Sequence, residues 1–303
     1  MRTAVVCIAL AGCLLIGAGP AAVIEDIQSH PACPICGMDR QQYAHSRMLI
    51  DYKEGPVGTC SIHCTGADLA VNRHKRVREV FAADHAGRQL IPATSAVWVI
   101  GGDRSGVMTQ RAKWSFQKKT DAESFIRDHG GSLATYDAAM KATFEDMYSD
   151  IKMVRERTRR QRPEAARTPA GPAVDDRKEH RECKYCGMDR EKFGFSRMLI
   201  RYDDGTAVPT CSIHCTGIDL ALNPHKGVSA SLVGDYDTRV LIDAEAAFWV
   251  LGGDRMGVMS IRGKWAFGDR KAAERFIKEH GGSIVTYDNA MKAAFEDMYE
   301  ILR

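Results

Sequence analysis

The chain has 303 residues, 45% of them apolar and 27% charged, with ten cysteines and a net charge of +3. This length suits two domains of about 120 residues, and the composition is that of ordinary soluble protein able to build a core in each. A basic nucleic-acid-binding face is excluded, because the positive excess is local: Lys152 to Arg167 holds seven basic residues against two acidic ones, leaving the rest close to neutral.

Taken in chain order, Arg2 precedes an apolar run from Ala4 to Ile24, which reads as an export signal over residues 1–24. Within it, Leu10-Ala11-Gly12-Cys13 has the form of a bacterial lipobox, making Cys13 the expected lipidation site. Cleavage near Ala21 and retention as an uncleaved anchor are the alternatives, since about 20 apolar residues just span a bilayer. In each case the remainder is expected on the periplasmic side of a bacterial membrane, lipid-anchored or secreted, touching the membrane only through its lipid or signal. That compartment permits disulfides.

Residues 30–151 are expected to form a first domain. Ser46 to Tyr52 reads as a strand, and a Glu54-Gly55 turn leads to a second strand ending near Cys60. A short helix over Thr65 to Val71 follows, then strands at Ala96–Ile100, Val107–Met108 and Lys113–Phe116. Thr120 to Glu123 has capping-box spacing ahead of a helix with Ala122, Phe125, Ile126 and His129 on one face. Gly130-Gly131 ends it, Ser132 to Thr135 reads as a strand, and Asp137 as the cap of a last helix with Met140, Phe144, Met147, Tyr148 and Ile151 inward. The order is strand-strand-helix-strand twice, an α+β arrangement.

The series then repeats at an offset of about 150 residues. Cys33-Pro-Ile-Cys36-Gly-Met38-Asp-Arg returns as Cys183-Lys-Tyr-Cys186-Gly-Met188-Asp-Arg, and Cys60-Ser-Ile-His63-Cys64 as Cys211-Ser-Ile-His214-Cys215. Residues 152–177 lack apolar periodicity and read as a basic Pro/Ala linker, and 178–303 as a second domain. Because each copy holds the whole series, each is expected to fold by itself. His45 becomes Phe195 and His85 becomes Tyr236, so neither is expected in a role common to both copies.

The repeated cysteines leave three arrangements open: a closed tetrahedral zinc site, two disulfides, or a site for a transported soft metal. Thioethers next to the thiols, at Met38 and Met188 and at Met108 and Met259 in Gly-Val-Met, favour Cu(I), which is soft; Zn(II) is the alternative. His63 and His214, each between two cysteines, are further candidate ligands. Cys64 is expected just before its helix, where the dipole favours the thiolate. No Ser/His/Asp order or phosphate-binding loop suggests an enzyme.

Cys-x-x-Cys-Gly-Met, a strand pair, a helix, Val-Ile-Gly-Gly, Gly-Val-Met, and an Ala-Glu-x-Phe helix running into His-Gly-Gly together resemble the NosL family, accessory lipoproteins for copper supply to nitrous oxide reductase. The resemblance implies two strand-strand-helix-strand units per domain, related to the organomercurial lyase fold. It also implies Cu(I) held by Cys36 with Met38, by Cys186 with Met188, and by Met108 and Met259. The expected function is that of a Cu(I) chaperone, taking copper from a membrane exporter and passing it to a periplasmic apo-metalloprotein such as nitrous oxide reductase. The alternative is a structural zinc-binding interaction module. Carbon–metal bond cleavage by Cys60, Cys64 and Asp68 is a third reading, by analogy with the lyase fold alone.

Overall fold

The computed structural model describes residues 26–161, 176–177 and 179–302. The expected export signal with Cys13, and linker residues 162–175, lie outside the described residues.

The first copy runs β1 (Met48–Tyr52), β2 (Gly55–Thr59), α1 (Ile62–Val71), β3 (Val77–Ala83), β4 (Leu90–Pro92), β5 (Val97–Ile100), β6 (Lys113–Phe116), α2 (Lys119–His129), β7 (Ser132–Ala134) and α3 (Tyr136–Gln161). Its strands form two antiparallel sheets, ordered β2-β1-β3-β4 and β6-β5-β7. The second copy repeats this with β8 (Met198–Tyr202), β9 (Ala207–Thr210), α4 (Ile213–Leu222), β10 (Val228–Gly234), β11 (Leu241–Asp243), β12 (Phe248–Leu251), β13 (Lys264–Phe267), α5 (Arg270–His280), β14 (Ser283–Val285) and α6 (Tyr287–Leu302). The α+β class and the doubled strand-strand-helix-strand succession are as expected, with one reassignment. Val77–Ala83 closes the first unit by pairing with β1, and Val97–Ile100 opens the second.

Four local expectations are corrected. Val107–Met108 forms no strand, because Met108 has φ +64° and cannot extend. Helix α2 starts after Lys118 with no side-chain cap, so the Thr120 capping box is not made. Helix α3 is capped by Thr135, whose hydroxyl accepts from the Ala138 amide at 3.2 Å, rather than by Asp137. The same helix runs to Gln161 instead of ending at Ile151, because the buried stripe Met147, Ile151 continues to Val154 at helical spacing.

Helix α1 is buried along nearly its whole length, between its own sheet and α3. A Cβ on Gly66 would meet Met147, Thr143 and Phe144 at 3.3–3.5 Å, so glycine sets how closely the helices approach. The copies are also joined to each other. One apolar cluster takes Ile50, Phe144 and Met147 from the first and Ile200, Phe295 and Met298 from the second. Helices α3 and α6 lie together, and the Tyr148 hydroxyl donates to Asp288 at 3.0 Å while Lys152 reaches the same carboxylate at 2.6 Å. The repeat, read as two self-contained halves, does not announce this shared core.

Candidate metal centre

Each copy brings its four cysteines together by two local devices. In the first, the Cys33 amide donates to the Met38 carbonyl at 2.9 Å and the Gly37 amide to the Cys33 carbonyl at 2.8 Å. This closes a knuckle that turns on Gly37 at φ +75°, a left-handed conformation glycine adopts without steric cost. In the second, the chain leaves β2 at Cys60, passes through extended Ser61 and enters α1, so that Cys64 falls inside the first turn rather than before it.

The outcome is convergence. Cys36 and Cys60 Sγ are 3.4 Å apart, Cys60 and Cys64 3.6 Å, and Cys64 and Cys36 3.6 Å, with Cys33 inside the same 4.8 Å group. The second copy repeats it with Cys183 and separations of 3.5, 3.7 and 3.8 Å among Cys186, Cys211 and Cys215. Tetrahedral coordination with bonds of about 2.3 Å has thiolate–thiolate edges of about 3.8 Å, so these thiols are prearranged at nearly that spacing. All eight are free thiols, not disulfides.

A residue pair that sequence reading missed ties the two devices to each other. Arg40, fully buried, donates through Nε to the Thr59 carbonyl at 3.1 Å, and through its other nitrogens to the carbonyls of His30 (2.7 Å) and Met48 (3.0 Å). It thereby fastens the knuckle to the strand end that carries Cys60. Its charge is met by Asp26 at 2.8 Å, which also holds Arg47 at 2.8 Å. Arg190, Arg197 and Asp176 repeat the trio. The available signal was the Asp-Arg following Cys-Gly-Met in both copies.

Hydrogen bonds from Cys36, Cys60 and Cys64 hold the Cys33 thiol far below its ordinary range. Cys60 and Cys64 are pushed up, first by their bonding to Cys33, with burial adding to it. Hydrogen bonding within the group thus favours the charged form at Cys33 and opposes it at Cys60 and Cys64. Cys183 is lowered likewise, and Cys186, raised by Cys183 but lowered more by Cys211 and Cys215, comes to about 7.

Met38 and Met108 pack in one cluster with the first copy's cysteines, and Met188 and Met259 with those of the second. Met108 and Met259 have φ +64° and +61°, a left-handed backbone that costs a non-glycine residue about 1–2 kcal/mol. His63 and His214 lie outside the converging donor group; both are buried, with neither ring nitrogen hydrogen-bonded. Their surroundings differ. His63 Nδ1 is 3.6 Å from Asp150, whose counterpart is Ile301. His214 is lowered to about 4 by burial, with Arg73 and Lys264 adding to it. Arg73 crosses from the first copy to within 3.9 Å of Met259 Sδ, and its counterpart is Pro224. Asp68, the acid of the lyase reading, is engaged by the Tyr52 hydroxyl at 2.7 Å and the Asn72 amide at 3.1 Å.

The fold and the centres together define a tandem α+β protein with one four-thiol candidate metal centre in each copy. The NosL family model matches residues 24–144 and 174–295, and the chain belongs to the NosL family, twice over. No curated protein matches it. Among solved structures it is similar to the copper chaperone NosL from Shewanella denitrificans, with 27% identity, 37% of this chain and 90% of that one covered, and a TM-score of 0.31. Among the described residues, no helix is long and apolar enough to cross a membrane.

Proposed function

We propose that this chain is an extracytoplasmic carrier of Cu(I), lipid-anchored through Cys13, that receives the ion from a membrane exporter and passes it to a periplasmic apo-metalloprotein such as nitrous oxide reductase. Its working domains are 30–151 and 178–303. The ligand sets are Cys33, Cys36, Cys60 and Cys64 with Met38 and Met108, and Cys183, Cys186, Cys211 and Cys215 with Met188 and Met259. His63 and His214 are held in reserve beside them. The observation that carries this reading is the pairing of converged thiols with a methionine kept, in both copies, in a costly left-handed backbone. Packing alone does not call for that conformation, whereas a thioether aimed at a soft ion does. Family membership supports it as well.

A second reading is favoured by a specific observation. Three of the four thiols in each copy are buried, and their spacing suits a closed four-sulfur zinc site. Titrating the reduced chain against a Cu(I) chelator separates the two. At least one Cu(I) withdrawn per copy is the expected result; stoichiometric zinc with no copper withdrawn overturns the copper reading.

A further inference from the structure

The part of α3 that continues past Ile151 runs along the second copy. Tyr148, Lys152 and Arg155, spaced at i, i+4 and i+7, share one face of that helix. Together with Ser231 of β10 and Tyr287 of α6 they line a cavity of about 300 Å³ at the seam between the copies. Two polar atoms of these lining residues are shut off from solvent and have no hydrogen-bond partner: Arg155 Nε and the hydroxyl of Tyr287, a residue only 5% exposed. The Ser231 hydroxyl stands close enough to Tyr287 to oppose the burial that pushes its pKa up to about 12. In the first copy the position of Ser231 is occupied by the buried Val80. A hydroxyl therefore replaces a buried aliphatic side chain in the wall that Arg155 shares.

Burying a cation without an anion is unfavourable, and a guanidinium cannot shed its charge to escape that cost. Among the described residues Arg155 forms no ion pair; its Nη2 reaches only the Leu220 carbonyl, at 3.5 Å. The carboxylates nearby are committed elsewhere. Asp288 takes Lys152 at 2.6 Å and Tyr148 at 3.0 Å, and Asp219 takes Tyr185, Tyr202 and Lys184. Glu245 also lines the cavity, but it is exposed and does not come within ion-pair distance of Arg155. We infer that this cavity is a binding site for a small oxyanion, held by Arg155 with the Tyr287 and Ser231 hydroxyls. Guanidinium and hydroxyl donors are the groups that satisfy phosphate and carboxylate oxygens, and arginine presents its donors as a planar fork. A bound anion ties α3 of the first copy to β10 and α6 of the second. The lining includes no cysteine and no methionine, so the site is separate from the thiol centres and independent of the carrier reading.

Inorganic phosphate is the first probe and acetate the second, each titrated into the reduced, metal-free full chain at an ionic strength held constant with sodium chloride. The readout is the Nε–H signal of Arg155 in nitrogen-labelled protein, identified by its loss in Arg155→Gln. Phosphate should move that signal saturably and raise the melting temperature, and chloride should do neither. Arg155→Gln should abolish the phosphate-dependent rise in melting temperature. Ser231→Val introduces the first copy's residue and keeps the arginine. It should move the titration midpoint to at least about threefold more phosphate, as expected for one lost hydrogen bond. Acetate acting in place of phosphate upholds the oxyanion site and assigns a carboxylate as its occupant. An Arg155 signal unmoved by either anion overturns the inference, and so does a Ser231→Val chain that titrates like its parent. The Cu(I) titration is read separately, so the carrier reading stands or falls on its own result.

Discussion

The Tyr299 hydroxyl donates to Asp137 Oδ1 at 2.6 Å, across the boundary between the two copies. The contact is the mirror of Tyr148 to Asp288, since Tyr299 and Asp288 are the repeats of Tyr148 and Asp137. A patch that recognises its own copy in this reciprocal way is an isologous interface, here built inside one chain. With the shared apolar cluster behind it, the whole chain should unfold in a single calorimetric transition whose van't Hoff and calorimetric enthalpies agree. Tyr299→Phe should lower stability by about 1 kcal/mol without splitting that transition. Two resolved transitions in the parent chain would show that the halves are energetically separate.

The buried Asp26 trio should be far more sensitive than any surface pair. Asp26→Asn leaves the Arg40 and Arg47 guanidiniums, both fully buried, without their anion, a loss of about 3–5 kcal/mol. Arg78→Ala removes an exposed pair with Asp51 at 3.4 Å and should cost under about 1 kcal/mol. Urea unfolding of both variants checks this, and equal losses would mean that the trio is not what fastens the knuckle.

Sulfur substitutions should divide into two classes. Met38→Leu nearly preserves volume and should cost under about 1.5 kcal/mol, yet weaken Cu(I) binding in the first copy because leucine offers no donor. Cys60→Ser should lower the melting temperature of the metal-loaded chain, since a ligand lost from a site coupled to folding is stability lost. Chelator competition with melting on each variant decides it. Unchanged copper affinity in Met38→Leu would reduce that methionine to packing.

Acid should weaken the first copy through His85. Burial, with His45 and Arg104 adding to it, pushes its pKa down to about 4, against about 6.5 for an unperturbed imidazole. Between those values the unfolded chain takes up a proton that the folded chain refuses. Stability from this group is therefore complete above about pH 6.5 and drains away as pH falls toward 4. His85→Tyr, matching Tyr236 in the second copy, should shrink the drop in melting temperature between pH 7 and pH 5. An unchanged drop would assign the acid sensitivity elsewhere.

What could be read from sequence followed the range of the interactions involved. The β1–β2 hairpin and the inward face of α3 are written locally, in alternation and in 3.6-residue spacing, and both are present. Strand β3 was hidden because Arg76, Arg78 and Glu79 crowd its exposed start, leaving only Val80, Ala82 and Ala83 buried. Cysteine spacing announced the centres, but the clamp that orients them joins Asp26 to residues 14 and 21 positions away, which no local pattern reports. Using the repeat as a filter also had a cost. It retains what the copies share, and so passes over His45, His85, Ser231 and Arg73, each of which belongs to one copy alone.

Arg73 shows why those differences matter. In a pair of identical subunits every substitution is inherited by both sites at once, so an arginine offered to one is offered to the other. Carrying both units on a single gene removes that constraint: Arg73 reaches Met259, while Pro224 occupies the position from which a return contact would come. The two centres can thus diverge under selection while keeping the same four converging thiols.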